Sequence, residues 1–148
     1  MSGDLVCPRL ADIPIALVDG GTANLSHFCG QKLIVFFCPA GDPDAADREI
    51  ETYERLARGF DGVGAWVLGI VPTPEATARE VADAARIHLG LDPDGAVFKA
   101  LSATLPEEVP VKAEEGAAFL IDRDGAVRTV WPGCGHAAAA LATAHERP

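Results

Sequence analysis

The stretch Leu33-Ile34-Val35-Phe36-Phe37-Cys38-Pro39 decides the fold. Its first six residues are an unbroken run of β-branched, aromatic and other apolar side chains. Such a run predicts a β-strand that is buried on both faces, as the central strands of parallel sheets are. Pro39 has no N–H to donate to a strand ladder, so we expect the strand to end there.

The segments on either side of this strand predict an α/β order. Ile15–Val18 indicates a short strand, and Asn24–Phe28 indicates one helical turn. After the central strand, a helix is expected with Asp44 as its N-cap, because apolar residues recur at helical spacing as far as the glycines at 62 and 64. Ala65–Val71 predicts a second strand.

The region after the second strand is predicted to be helical. Thr73 as cap and Pro74 at the first helical position favour a helix start, and His88 and Leu89 fall on its inward face. Trp66, on the preceding strand, is expected in the core, as is Trp131.

The C-terminal half predicts a hairpin between two helices. The elements are a turn at Asp92–Gly95, a short helix through Leu101, strands at Ala117–Ile121 and Ala126–Trp131 around Asp122–Gly125, and a helix from about His136 to His145. A strand–helix–strand unit crosses over right-handed and gives parallel strands, while a hairpin adds antiparallel ones. The sequence therefore predicts one α/β domain over residues 1–148, with a mixed central sheet and helices on both faces.

Charge and composition exclude several classes of function. The formal net charge is -10, from 22 acidic and 12 basic residues, which disfavours binding to nucleic acid or to an anionic membrane surface. No segment reaches the roughly 18 consecutive apolar residues of a spanning helix. The N-terminus shows no secretory signal pattern, so we expect a cytoplasmic protein.

The four cysteines, Cys7, Cys29, Cys38 and Cys134, form no Cys-x-x-Cys pair. Structural disulfides are rare in a reducing compartment, and scattered thiols there are commonly small buried hydrophobes. No pattern of metal ligands or cofactor-binding residues stands out, so no metal and no cofactor is expected.

Four stretches together resemble the peroxiredoxins, the alkyl hydroperoxide reductase and thiol-specific antioxidant family, and most closely its bacterioferritin-comigratory branch. They are Leu33–Pro39, Leu91–Ala100, Ala117–Trp131 and Gly135–Leu141. The resemblance implies a thioredoxin-like three-layer fold and, by family, reduction of hydroperoxides by a reactive cysteine thiolate.

The same resemblance locates the family's reactive loop, Pro-x-x-x-Thr-x-x-Cys, on this chain. The proline is Pro39, the threonine position is Pro43, and the position of the reactive cysteine is Ala46. Glu49 fits an acidic residue that often follows, and the family's arginine falls at Gly116. The reactive thiol is therefore replaced, and so are the hydroxyl and the cation that would stabilise its thiolate.

Another cysteine could take over the chemistry. Cys38 ends the central strand just before the loop, and Cys134 lies near a helix N-terminus with His136 two residues away. Burial in apolar surroundings would instead make Cys38 an inert thiol with a raised pKa. Cys7 and Cys29 are further candidates, whereas a thioredoxin-type Cys-x-x-Cys, which would fall near positions 43 and 46, is absent.

Two classes of function remain open from the sequence. One is a non-catalytic binding or regulatory redoxin that keeps the scaffold, and the other is a thiol-dependent peroxidase with a relocated cysteine. A pocket lined by Pro39, Asp42, Pro43 and Ala46 is a third reading, with an acidic rim that suits a neutral or cationic ligand. The expected partners are a second copy of the chain, a thiol reductant or another protein.

Overall fold

The computed structural model describes residues 13–17, 21–28, 30–39, 43–71, 88–92, 95–103, 112 and 115–146. In these ranges the chain forms seven strands: β1 (Pro14–Leu17), β2 (Thr22–Asn24), β3 (Lys32–Phe37), β4 (Ala65–Val71), β5 (His88–Leu91), β6 (Ala117–Ile121) and β7 (Val127–Pro132). The α-helices of the same ranges are α1 (Pro43–Arg55), α2 (Ala57–Gly62), α3 (Ala96–Ser102) and α4 (Ala137–Glu146), and Leu25–Phe28 forms a 3-10 turn.

The described strands form one mixed sheet in the order β2-β1-β5-β4-β3-β6-β7. β3 pairs parallel with β4, from Lys32 opposite Ala65 to Phe37 opposite Ile70, and β4 pairs parallel with β5. β6 pairs antiparallel with both β3 and β7. All six residues of β3 are buried, which confirms the predicted central strand. The antiparallel pairing of β6 with β7 confirms the predicted hairpin.

Helices cover both faces of this sheet. α1, α2 and α4 pack on one face, where the ring of Phe36 stacks on Tyr53 of α1 at a centroid distance of 3.9 Å. The 3-10 turn and α3 pack on the other face, where Phe37 meets Phe98 of α3 edge to face at 5.2 Å. The fold is the predicted thioredoxin-like three-layer α/β arrangement.

Lys32 joins the layers at the start of β3. Its side chain is buried, and its Nζ donates to the C=O of Val63, just after α2, at 3.2 Å and to the C=O of Ala144 in α4 at 3.0 Å. Both acceptors lie at helix C-termini, where carbonyl groups lack helical partners and a cation is favoured. The buried ammonium group therefore anchors two helices to the central strand.

Three local predictions were wrong. His88 and Leu89 lie in strand β5 rather than on a helix, because they pair with Leu68 and Gly69 of β4. Trp66 is 43% exposed and stacks on His88 at 5.6 Å instead of entering the core. The helix expected from Asp44 to Gly62 breaks at Leu56, after which α2 packs on α4 at Gly59.

The helix predicted from Thr73 falls outside the described residues, apart from the segment that proved to be β5. None of the helices in the described ranges is long and apolar enough to cross a membrane.

Candidate functional site

The predicted loop region lies at the carboxyl end of β3. The N–H of Cys38 donates to the C=O of Ile70 at 2.9 Å, which extends the pairing with β4 by one residue. Cys38 and Pro39 are both buried. The Sγ atom of Cys38 donates a long hydrogen bond of 4.0 Å to the C=O of Ala46 in α1. The structure thus brings Cys38 and Ala46 into direct contact.

Ala46 is fully buried in the first part of α1. It belongs to the same apolar cluster as Cys38, Ile50 and Tyr53. Its methyl group has neither a nucleophile nor an acidic proton, so the side chain of Ala46 contributes packing alone.

Glu49 ties α1 to the loop between β7 and α4. The carboxylate is only 6% exposed, and its two oxygens accept the N–H of Gly135 at 2.9 and 3.1 Å. Burial raises the pKa of Glu49, although the Gly135 hydrogen bond and the nearby His136 act in the opposite direction. This side chain therefore fixes the loop that carries Cys134.

Gly116 has the left-handed backbone conformation, with φ of +89°. A Cβ built on it would lie 3.2 Å from the C=O oxygen of Phe37 and 3.6 Å from the Cβ of Cys134. Side chains other than glycine rarely adopt this φ. The position that the resemblance assigns to an arginine is thus shaped for a residue without a side chain.

The electrostatic surroundings of Cys38 oppose thiolate formation. Burial raises the pKa of Cys38 to about 12, and the charges of Glu49, Asp47 and Cys134 add to the rise. Reactive cysteines need the reverse, a lowered pKa beside cations or a helix N-terminus. Cys38 is therefore a neutral thiol at pH 7.

Cys134 is exposed in the loop beside Gly116, three residues before α4 begins. The imidazole of His136 is held by Pro132, because its Nε2 lies 2.9 Å from the Pro132 C=O, which can only accept. Cys134 thus differs from Cys38 in being open to a reagent in solution.

Tyr53 was not expected at the site from the sequence. Its hydroxyl is buried and has no hydrogen-bond partner among the described residues. Burial raises the pKa of Tyr53, with Glu49 and Cys38 as further causes. The helical spacing of Glu49 and Tyr53, one turn apart, was the available signal that both face the same cluster.

The remaining predicted positions are placed only in part. Pro43 is the first residue of α1, while Asp42, Cys7 and Cys29 lie outside the described residues. Within the described ranges, no group of three or more His, Cys, Asp or Glu side chains is arranged to hold a metal ion.

Comparison with known proteins agrees with this architecture. A model of the AhpC/TSA family matches residues 9–130, which is most of the chain. The chain belongs to the AhpC/TSA family. The resemblance to peroxiredoxins drawn from the sequence is thereby confirmed.

Individual relatives have low sequence identity to this chain but match it over most of its length. A Mycobacterium tuberculosis protein named as a peroxiredoxin is 26% identical over 114 residues, covering 74% of this chain and 73% of the relative. Peroxiredoxin Q of Xanthomonas campestris has a TM-score of 0.73 at 22% identity, covering 95% of this chain and 97% of that chain. The peroxidoxin BcpB of Mycobacterium tuberculosis has a TM-score of 0.72 at 23% identity, covering 97% and 98%.

Proposed function

We propose that this AhpC/TSA-family protein is a binding or regulatory redoxin that does not use the standard peroxidatic position. The observation that carries the proposal is the buried methyl group of Ala46, at the position where the family resemblance expects the reactive thiol. Without a nucleophile there, the covalent step with a peroxide has no starting atom.

The charges around Ala46 support the same proposal. Asp44, Asp47 and Glu49 all lie on α1 close to this position, and the charges of Asp47 and Glu49 raise the pKa of the neighbouring Cys38. Gly116 contributes no cation to offset them. The region is therefore unfavourable for the negative charge that develops as an O–O bond breaks.

The alternative is a thiol-dependent peroxidase that works through a relocated cysteine. Exposure of Cys134 beside the same site favours it, whereas the raised pKa of Cys38 disfavours that residue as the attacking group. In this alternative a hydroperoxide is the substrate, and a thiol reductant returns the protein to its starting state.

The binding function needs a partner, and we propose a second copy of the chain or another protein. No nucleic acid or membrane partner is expected, given the net charge of -10. The single-domain organisation over residues 1–148 and the cytoplasmic location remain predictions.

The test follows oxidation of each cysteine by hydrogen peroxide with peptide mass spectrometry against time. Trypsin places the four thiols on different peptides, since cleavage sites at Arg9, Lys32, Arg48 and Arg128 separate them. The same protein in urea provides the reference rate for each thiol in an unfolded chain. We expect native Cys134 to react at about its unfolded rate, native Cys38 to react more slowly because it is buried, and no turnover with a thiol reductant.

Rapid and selective oxidation of one thiol in the native protein would contradict the proposal. If that selectivity disappears in Cys134→Ser but not in Cys38→Ser, the alternative peroxidase function through Cys134 stands in its place.

A further inference from the structure

A cavity opens between α2 and the start of β4, at the end of the sheet away from Cys38. Its volume is about 260 Å³. Lys32 and Ala65 pair at this end of β3 and β4, whereas Cys38 follows the other end of β3. Because β3 has six residues, the two ends are roughly 20 Å apart. This α2–β4 cavity is therefore separate from the reactive loop that the family resemblance locates.

The inner wall of the α2–β4 cavity is apolar. Ala57 and Phe60 of α2 and Val67 of β4 line it, and all three are buried. They belong to the same core cluster as Tyr53, so packing of the core fixes the wall. Sites for drug-sized ligands have volumes of about 300–1,000 Å³. The cavity thus suits a smaller molecule with a compact apolar body.

The opening of the cavity is polar and negatively charged. Gln31, Asp61 and Trp66 line it as well, and all three are exposed. Among the described residues of the lining, Asp61 is the one charged side chain. An ionised carboxylate accepts hydrogen bonds but donates none, and the amide of Gln31 adds a further acceptor oxygen. The opening therefore favours a ligand that donates hydrogen bonds and carries a positive charge.

The C-terminal end of α2 adds to this preference. Gly64, which also lines the cavity, donates its N–H to the C=O of Asp61 at 3.0 Å. Carbonyl groups at the C-terminus of a helix favour a nearby cation, and the ammonium group of Lys32 already bonds to the C=O of Val63 at this end. Lys32 is buried and does not line the cavity, so it leaves the opening to a second cation.

We propose that the α2–β4 cavity binds a small primary ammonium ion with an apolar body. The ammonium group donates to the carboxylate of Asp61 and to the amide oxygen of Gln31, while the apolar body contacts the buried wall of the cavity. The charge of Asp61 and the net charge of -10 repel an anion of the same size. This site goes beyond the proposed partner binding and does not depend on it.

The experiment titrates three probes of similar size into a Trp131→Phe chain, in which Trp66 is the remaining tryptophan. Phenethylamine is a cation at neutral pH, phenethyl alcohol is neutral and phenylacetate is an anion. Trp66 lines the cavity, so its fluorescence reports occupation, and calorimetric titration of the unaltered chain checks the affinities. At constant ionic strength we expect saturation by the amine in the millimolar range and no binding of phenylacetate. The alcohol should bind about three- to tenfold more weakly than the amine, because it lacks the charged contact.

A substitution at the opening tests the role of the carboxylate. Asp61→Asn keeps the size of the side chain and removes its charge, so we expect the amine to bind about three- to tenfold more weakly while the affinity for the alcohol stays unchanged. Glu51→Gln, at an exposed position of α1, is the matched control. It changes the net charge by the same amount and should bind the amine as the parent chain does. Urea unfolding checks that both variants are folded.

Three results would overturn the proposal. A fluorescence change that never saturates, with no calorimetric binding, would mean that the cavity holds none of the probes. Equal affinities for the amine and the alcohol would mean that no charged contact forms. Equal weakening by Asp61→Asn and Glu51→Gln would mean that the net charge, rather than Asp61, attracts the amine. None of these results bears on the cysteine oxidation that tests the proposed function, so the two proposals fail independently.

Discussion

At the scale of single residues, the site is defined by what Ala46, Glu49 and Gly116 place around one buried thiol. Ala46 supplies a methyl group and its backbone oxygen, which lies 4.0 Å from the Cys38 sulfur. Glu49 supplies a buried negative charge, and Gly116 supplies space. Burial and the charges of Glu49 and Asp47 keep Cys38 protonated.

Replacing Ala46 by cysteine should not create a fast peroxidase. In an Ala46→Cys/Cys38→Ala chain, the new thiol would lie beside Glu49 and Asp47, with no cation at Gly116, so we expect it to react with hydrogen peroxide at the pace of an unactivated thiol. The fully buried site should also lose about 1 kcal/mol of stability through tighter packing. Stopped-flow peroxide kinetics and urea unfolding measure the two effects. A peroxide reaction far faster than that of the same chain in urea would show that the helix N-terminus alone activates a thiol here.

Glu49 should make the stability depend on pH in a specific direction. Its folded pKa is raised from 4.5, so just above pH 4.5 the folded chain holds a proton that the unfolded chain has released. Stability from this group is therefore complete below pH 4.5 and falls as the pH rises through the folded pKa. We expect the wild type to gain free energy of unfolding relative to Glu49→Gln as the pH is lowered from neutral toward 4.5. Urea unfolding of both proteins across this range measures the difference, and parallel curves would contradict the assignment.

At the scale of elements, the described part of the chain is held by close contacts between central strands and the helices on them. Gly69 of β4 lies under the rings and methyl groups of its neighbours, since a Cβ there would overlap Phe36 and come within 2.8 Å of Leu89. Gly62 at the end of α2 has nothing within 4 Å of the same position. A methyl group would therefore fit at Gly62 but would clash at Gly69.

Gly69→Ala should destabilise the protein by about 1–3 kcal/mol, because the added methyl group forces the packed side chains of β3 and β5 to move. Gly62→Ala, the matched control, should be neutral or stabilising by up to about 1 kcal/mol, because it reduces backbone freedom without a clash. Urea unfolding of both variants measures the free energies. A neutral Gly69→Ala would show that the sheet and α1 do not pack as closely as the Phe36–Tyr53 stack indicates.

At the scale of the whole molecule, the excess of acidic residues shapes stability more than single ion pairs do. The net charge is -10, and self-repulsion of that size opposes the compact state. The exposed pair of Arg128 with Asp122 and Asp124, at 2.9 and 3.1 Å, is of a kind that contributes little. Screening should therefore remove more repulsion than attraction.

Added salt should raise the melting temperature. We expect a rise of a few degrees as sodium chloride shortens the Debye length from about 30 Å to about 8 Å. Differential scanning fluorimetry in the two buffers measures it, with sodium sulfate omitted because sulfate also strengthens apolar burial. A fall in melting temperature would mean that attractive pairs outweigh the overall repulsion.

The elements that the sequence determined by itself are those with strong local patterns. β3, β4, the β6–β7 hairpin and α4 follow from continuous apolar runs, a four-residue turn ending in Gly125 and a helical alanine-rich segment. The order of these elements and the texture of four stretches were also sufficient for the family resemblance, which the comparisons confirm. The stretches are Leu33–Pro39, Leu91–Ala100, Ala117–Trp131 and Gly135–Leu141.

Only the tertiary structure decided the features that depend on contacts between distant segments. His88 became a strand residue because it pairs with Leu68 of β4. Trp66 lies near the start of β4, before the pairing with β5 begins at Leu68, and it is 43% exposed. The link from Glu49 to Gly135 spans 86 positions, and the approach of Cys134 to Gly116 depends on the hairpin register. Local periodicity carries no information about such pairs, because packing of the folded chain, rather than spacing along it, brings them together.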